Sequence, residues 1–349
     1  MENRLRWFRV SPMTRRRIAN FKANKRGYWS FWIFTVLFAA SVCSELIAND
    51  KPLLVRYGGE WYLPVAVVYP ETAFGGDFET EADYRDPFTA DLIRESGGWM
   101  LWPPVPYRYN TADNDLPGSA PTPPDRRHWL GTDDHGRDVV AWIFYGFRTA
   151  IFFGLTLMLV SSFVGIVAGA TQGYFGGWVD LAGQRFMEIW EALPSFYILI
   201  ILSSIVEPSF WWLLGILLLF SWPQLVGVVR AEFLRGRKAD YVEAARALGM
   251  GNVAIMFKHI FPNAMVATIT YAPFILAGAI TVLASLDFLG FGLPVGSPSL
   301  GELLAQGKTN VYAAWLGISG FTVMVVTLTL LNFIGEAMRD AFDPRNVGG

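Results

Sequence analysis

The sequence predicts an all-α polytopic membrane protein: six transmembrane helices, a short helix in a cytoplasmic loop, and an external insert between the first and second spans. Three observations predict it. Hydrophobic residues make up 53% of the chain and charged residues 17%, against about 25% charged in an ordinary soluble domain. The apolar residues gather into windows almost free of charge. Such windows of about 20 residues, at about 1.5 Å rise each, cross a hydrocarbon core of about 30 Å. Lys and Arg concentrate in the segments that an even number of crossings places on one side.

The elements follow in order. A basic tail, residues 1–27, carries Arg4, Arg6, Arg9, Arg15, Arg16, Arg17, Lys22, Lys25 and Arg26 against one acid, Glu2, so it belongs in the cytoplasm. The first span covers 28–47 and opens on Tyr28, Trp29 and Trp32, whose rings favour the headgroup zone. Its long polar lead and its ending read as a retained span and not a cleaved leader. The insert, 48–147, holds Pro, Gly, aromatics and an acidic cluster (Asp77, Glu79, Glu81, Asp83, Asp86), and it has no window long enough to span. It lies outside and closes on an interfacial helix, 138–147. That acidic cluster either attracts cationic peptides or a basic protein patch, or is a solvated surface.

Spans follow at 148–170, 186–206, 210–229, 264–286 and 314–334, within a five-helix core at 148–335. The third and fourth spans form a tight hairpin across Glu207-Pro208-Ser209. Pro194, Pro223 and Pro273 permit kinks. Gly165, Gly169 and Gly173 repeat at intervals of four, which lets helices approach closely, and Gly278 sits in the fifth span. The single cysteine, Cys43, excludes an intrachain disulfide and reads as a small buried or lipid-facing residue. A cytoplasmic tail, 336–349, ends the chain.

The loop after the fourth span is basic (Arg230, Arg235, Arg237, Lys238, Arg246, Lys258) and returns inside. Within it, at 239–263, Asp240 is placed to cap a short helix, and Glu243 follows three residues later, as a capping box requires. Gly249 can end the helix in a left-handed conformation. Tyr241, Ala244, Ala245 and Leu248 fall at i, i+3, i+4 and i+7, one face of small apolar residues. A helix too short to span, flanked by cations, suits a groove on a soluble partner.

Glu243-Ala244-Ala245, Gly249 and the ending His259-Ile260-Phe261-Pro262-Asn263 resemble the ATPase-docking loop of bacterial ABC importer permeases. Lys258-His259 points to the oligopeptide and dipeptide branch. Trp129-Leu130-Gly131-Thr132-Asp133, Leu286-Asp287-Phe288-Leu289-Gly290-Phe291-Gly292 and Gly335-Glu336-Ala337-Met338-Arg339-Asp340-Ala341-Phe342-Asp343-Pro344 are similar to the same branch. The insert and residues 46–52 resemble its microcin C-type subgroup. The resemblance implies a coupling helix in which Asp240, Tyr241, Glu243, Ala244, Ala245, Leu248, Gly249 and Pro262 serve the ATPase. It implies a second permease subunit, two ATPase subunits or a fused ATPase, a periplasmic peptide-binding protein and a peptide substrate. ATP and Mg would belong to the ATPases, and this chain would bind no cofactor. The expected surroundings are the lipid bilayer of a bacterial inner membrane, with both termini cytoplasmic and no nucleic acid.

Other patterns read more plainly. Gly301 to Thr309 looks like a phosphate loop but has five residues between its glycines instead of four, no strand before it, and an external position. Asp133, Asp134 and His135, with His128 nearby, could be metal ligands, but consecutive residues rarely face one ion. Capping by Thr132 and Asp133 is the plainer reading. No nucleophile or paired-acid signature argues for catalysis. Charge in hydrocarbon costs at least about 2.5–3.5 kcal/mol, so Glu188, Glu191 and Asp287 face either a pathway or the polar interface. An ion-gradient-driven secondary transporter would need paired broken helices in repeated halves, and it gives no reason for the 240–249 helix. A membrane-anchored structural or signalling protein would need fewer spans.

Overall fold

The computed structural model describes residues 12–342; Arg4, Arg6, Arg9 and the closing Asp343-Pro344 lie outside them. Helix α1 (Pro12–Ala23) is followed by α2 (Lys25–Val42). Between them the Asn24 side chain accepts a hydrogen bond from the Gly27 N–H at 3.2 Å, which caps an otherwise bare helix start. The predicted first span is therefore α2 and, past Cys43, one further turn, α3 (Ser44–Ile47). Cys43 is exposed.

The insert folds around a three-stranded antiparallel sheet ordered β2-β1-β3, with β1 at Leu54–Tyr57, β2 at Glu60–Tyr62 and β3 at Trp99–Leu101. Gly58 and Gly59, both at positive φ, form the two-residue hairpin loop between β1 and β2, where side chains would be strained. Helix α4 (Pro87–Glu95) precedes β3. Val55, Phe74, Ala82, Tyr84 and Ile93 form the core beneath the sheet.

Helix α5 (Val139–Phe175) runs 37 residues unbroken. The predicted interfacial helix and second span are thus one helix, because nothing between 138 and 170 breaks the backbone ladder. Its cap also differs from expectation. Asp138 accepts from the Ala141 N–H at 2.9 Å, whereas Asp133 accepts from the His135 and Arg137 N–H groups and holds the Arg137 guanidinium. The third span is broken: α6 (Gly177–Glu191) and α7 (Ser195–Ile205) meet at 67° across Pro194, and α8 (Phe210–Ser221) and α9 (Pro223–Gly236) bend by 41° at Pro223. Proline lacks the amide proton that would carry the ladder through. Pro273, by contrast, lies inside a continuous helix.

Next come α10 (Asp240–Ala247), α11 (Asn252–Ile255), a π-turn (Met256–Ile260), α12 (Phe261–Phe288), α13 (Leu300–Thr309) and α14 (Ala314–Phe342). The phosphate-loop look-alike is simply α13, capped by the Ser299 hydroxyl. Among the described residues, Val139–Phe175, Asn252–Phe288 and Ala314–Phe342 are long and apolar enough to cross a membrane, and the two bent pairs raise the number to five. The protein is a mostly helical membrane protein.

The chain divides into two compact units. One comprises Val36–Ala150 and Leu283–Val325. In it Tyr145 donates to the Ala48 carbonyl at 3.1 Å, and Arg148 pairs with Glu45 at 2.7 Å. Val139 and Trp142 pack with Leu303, Ala313 and Leu316. The other unit includes Ile151–Val282. There Gly165, Gly169 and Gly173 form a track along α5. A Cβ at each would lie 2.6, 2.7 and 2.5 Å from the carbonyl oxygens of Trp222, Val226 and Arg230. Only glycine lets α5 and α9 run backbone to backbone.

The insert is fastened to α5 by a buried charge chain. His128, 1% exposed, lies 2.7 Å from Asp138 and 3.3 Å from Asp113, and Tyr107 donates to Asp113 at 2.9 Å. Burial opposes the imidazolium, but the hydrogen bonds and charges of Asp138 and Asp113 outweigh it and hold His128 above its ordinary value. Asp113 loses solvation too, yet the Asp115 N–H, Tyr107 and His128 keep it below the usual carboxylate range. A raised histidine contributes stability below its unfolded value of about 6.5 and loses it as pH rises through the folded value. Asp113 contributes the opposite limb, lost only in acid. The melting temperature of the purified protein is therefore expected to fall as pH rises from the ordinary histidine value of about 6.5 into the alkaline range. His128→Gln should lower it at pH 6 and flatten that decline; an unchanged pH slope in the variant would refute the assignment.

Candidate functional site

The loop between α9 and α12 is held from below by both helices and by the end of α5. Arg237, just past α9, donates to the Tyr174 carbonyl at 3.2 Å, and the Tyr174 hydroxyl donates to Asn252 at 2.8 Å. Arg230 grips Asp180 of α6 through two bonds of 2.5 and 2.7 Å. Asp180 was not among the acids picked out in the sequence. Its signal was its position four residues past Gly176, in the first turn of a helix.

Helix α10 departs from expectation at its start. The N-cap is Ala239, with extended backbone and no side-chain cap; Asp240 is the first helical residue. Asp240 and Glu243 still lie in the first turn and Arg246 in the last, the arrangement the helix dipole favours. The end is as expected. Gly249 has φ +81°, with Met250 N–H bonded to the Ala245 carbonyl and Gly249 N–H to the Arg246 carbonyl. That pair of bonds is the Schellman arrangement.

The predicted apolar face is split. Val242 is 0% exposed, and Ala245 is buried beside it against Phe233, Val229, Ile255 and Ile260. Ala245 thus belongs to the packed side, because the i, i+3 stripe it makes with Val242 is what closes the loop onto the spans. Burying Val242 contributes about 1.5–3 kcal/mol. Tyr241, Glu243, Ala244 and Leu248 are left exposed, Leu248 at 87%. Pro262 has no N–H for the Lys258 carbonyl. One residue earlier the ladder has already widened to a π-turn, with Phe261 N–H reaching Met256. The Tyr241 hydroxyl accepts from Asn263 at 3.4 Å, so the start of α10 leans on the start of α12.

The three acids separate. Glu188 pairs with Arg185 at 2.6 Å in the open, and Glu191 is exposed at the end of α6. Asp287 is buried and accepts from the Ser299 hydroxyl at 2.5 Å and the Leu293 N–H at 2.7 Å. Trp142 donates to the Ser299 carbonyl at 2.8 Å. Asp287 therefore sets the turn that starts α13. Near the two helix breaks lies a cavity of about 160 Å³, lined by Leu157, Ser195, Ser221, Gln224 and Gly278 among others. Its polar residues follow Pro194 and flank Pro223, and that adjacency was the only signal for them in the sequence.

A short helix packed against the ends of bent helices lies within the segment that the comparisons match. Residues 161–347 match the family described as the binding-protein-dependent transport system inner membrane component. The chain belongs to this family. Two relatives extend the likeness over nearly its whole length. A peptidoglycan transport system permease protein YejE of Agrobacterium fabrum is 56% identical, over 97% of this chain and 94% of its own. The inner membrane ABC transporter permease protein YejE of Escherichia coli is 57% identical, over 96% and 98%. The oligopeptide transport system permease protein OppC of Lactococcus lactis subsp. cremoris is 35% identical over 62% of this chain and 76% of its own. The protein is thus an ABC importer permease and not an enzyme. The matched segment contains the whole loop from α9 to α12, and the insert is shared with the two longer matches.

Proposed function

We propose that this permease carries short peptides across the inner membrane, driven by ATP hydrolysed in partner subunits that dock on α10. The observation that carries the reading is the split of α10: Val242 and Ala245 lock it to α9 and the 252–288 helix, while Tyr241, Glu243, Ala244 and Leu248 face out. A push on the outer face reaches the spans through a packed core, which is what a rocking transporter needs. Gly249 and the π-turn at Met256–Ile260, just before Pro262, set the angle at which the loop returns.

In this reading α2 is the first of six spans, and both termini and α10 lie in the cytoplasm. The insert lies in the periplasm, where a peptide-binding protein meets it. A second permease subunit and two ATPase subunits, separate or fused, complete the assembly; ATP and Mg stay on the ATPases. Peptide cargo is favoured by the relatives' names and by the Lys258-His259 ending. The test is uptake of trialanine into proteoliposomes that hold the whole complex, with binding protein outside. Uptake is expected to require ATP at the α10 face and to survive collapse of all ion gradients. Uptake that follows a proton or sodium gradient without ATP would overturn the reading in favour of a secondary transporter.

A further inference from the structure

The insert contains a cleft of about 560 Å³, lined by residues 50–51, 81–86, 108 and 111–115. Carboxylates outnumber cations in its lining six to three. Each cation already has one neighbour. Lys51 is paired with Glu81, Arg85 lies 4.4 Å from the Tyr107 ring and Arg108 lies 5.5 Å from the Tyr109 ring. Asp113 is also spoken for, by Tyr107, His128 and the Asp115 N–H. The remaining field is acidic.

Charge alone does not make a site, but the hydrogen bonding adds a separate observation. Among the described residues, six buried side-chain nitrogen or oxygen atoms have no partner. Three belong to this cleft: Asp50 Oδ1, Arg108 Nε and the hydroxyl of Tyr84, a residue only 3% exposed. Native proteins leave few buried polar atoms unmatched, and a cluster of them points to a ligand. The three are held in place. The Thr111 hydroxyl donates to Asp50 Oδ2 at 2.8 Å and accepts from the Arg108 N–H at 3.2 Å, so one residue joins Asp50 to Arg108. Tyr84 is fixed by its ring, edge-on to Phe74 at 5.4 Å.

The unmatched atoms specify complementary chemistry. Asp50 needs a donor, Arg108 needs an acceptor, and Tyr84 can serve as either. A primary ammonium one bond-pair away from a carbonyl supplies both, and that is the amino terminus of a peptide. The size fits: small-ligand sites run about 300–1,000 Å³. We propose that this cleft binds the free amino terminus of a short peptide, its ammonium against Asp50 and its first carbonyl toward Arg108 and Tyr84. The proposal rests on the peptide-transport reading and names where on the external insert cargo is first held.

The test uses the purified permease complex in nanodiscs, without binding protein, titrated calorimetrically with trialanine and with N-acetyl-trialanine. Trialanine is expected to bind saturably and the blocked peptide at least tenfold more weakly, since acetylation removes the charge and two donors. This comparison needs no variant. Tyr84→Phe should weaken trialanine several-fold and Asp50→Asn about tenfold, and Asp50→Asn should leave the residual binding of N-acetyl-trialanine unchanged. Equal binding of the two peptides, absence of saturable binding, or binding of calcium chloride alone that trialanine does not displace would each overturn the proposal. ATP-driven trialanine uptake by the same complex, with binding protein added, separates the two claims. Uptake without cleft binding removes the cleft and leaves the cargo reading; cleft binding without uptake removes the cargo reading.

Discussion

Gly249→Val and Glu243→Arg are expected to leave the permease in the membrane but to cut ATP-driven peptide uptake at least about tenfold, the result of losing about 1.4 kcal/mol or more at a docking contact. Gly249 sits at φ +81° with both Schellman bonds formed. A β-branched residue there costs about 1–2 kcal/mol in the left-handed region, and the neighbourhood offers no contact to offset it, since nothing lies within 4 Å of an added Cβ. The helix would unwind from its last turn and carry Leu248 out of place. Glu243 acts differently. It is exposed and lies in the first turn of α10, so Arg there opposes the helix dipole by about 0.3–1 kcal/mol and inverts the charge offered to the partner. Co-purification of the ATPase subunits and uptake in proteoliposomes are the measurements. Full retention of both by either variant would show that α10 is not the docking element.

Gly169→Leu is expected to destabilise the permease itself. A Cβ at 169 would sit 2.7 Å from the Val226 carbonyl, 3.0 Å from Val229 Cβ and 3.1 Å from the Arg230 amide nitrogen. Two of these are backbone atoms of α9 and cannot rotate away. Overpacking costs about 1–3 kcal/mol even where side chains yield, and here α5 and α9 must separate. The same shift would pull Arg230 from Asp180 and Tyr174 from the loop core. The solubilised protein should melt a few degrees lower, since about 2–4 °C per kcal/mol holds for 150–250 residues and the shift shrinks in longer chains. Gly278→Ala serves as the comparison, because nothing lies within 4 Å of its added Cβ. If Gly169→Leu and Gly278→Ala melt alike, the track is not a packing seam.

The short helix α10 was legible because its information is local. An acid pair in the first turn, alanines in the body and a glycine at the end encode one capped helix, and each acts over a few residues. The face of that helix was only half legible. Periodicity groups Ala245 with Tyr241, Ala244 and Leu248, but Val242 lies three residues before Ala245 and is the larger apolar residue, so the pair turns inward. Asp240 illustrates the same limit. Its type suits a cap, yet the extended residue that precedes the helix is Ala239.

By itself, the sequence determined the class of the molecule, the places where apolar helices run, the small-residue seam on α5 and the helix ended by Gly249. Composition, period and turn chemistry act along the chain and can be read along it. Only the tertiary structure decided which of the prolines break a span, since Pro194 and Pro223 do and Pro273 does not. It alone joined the interfacial helix to the second span, and it alone brought together residues such as His128 and Asp138, Asp287 and Ser299, or Asp50, Tyr84 and Arg108. Those contacts depend on chain segments that fold back upon one another, and no local pattern records the partner that a buried polar atom will meet.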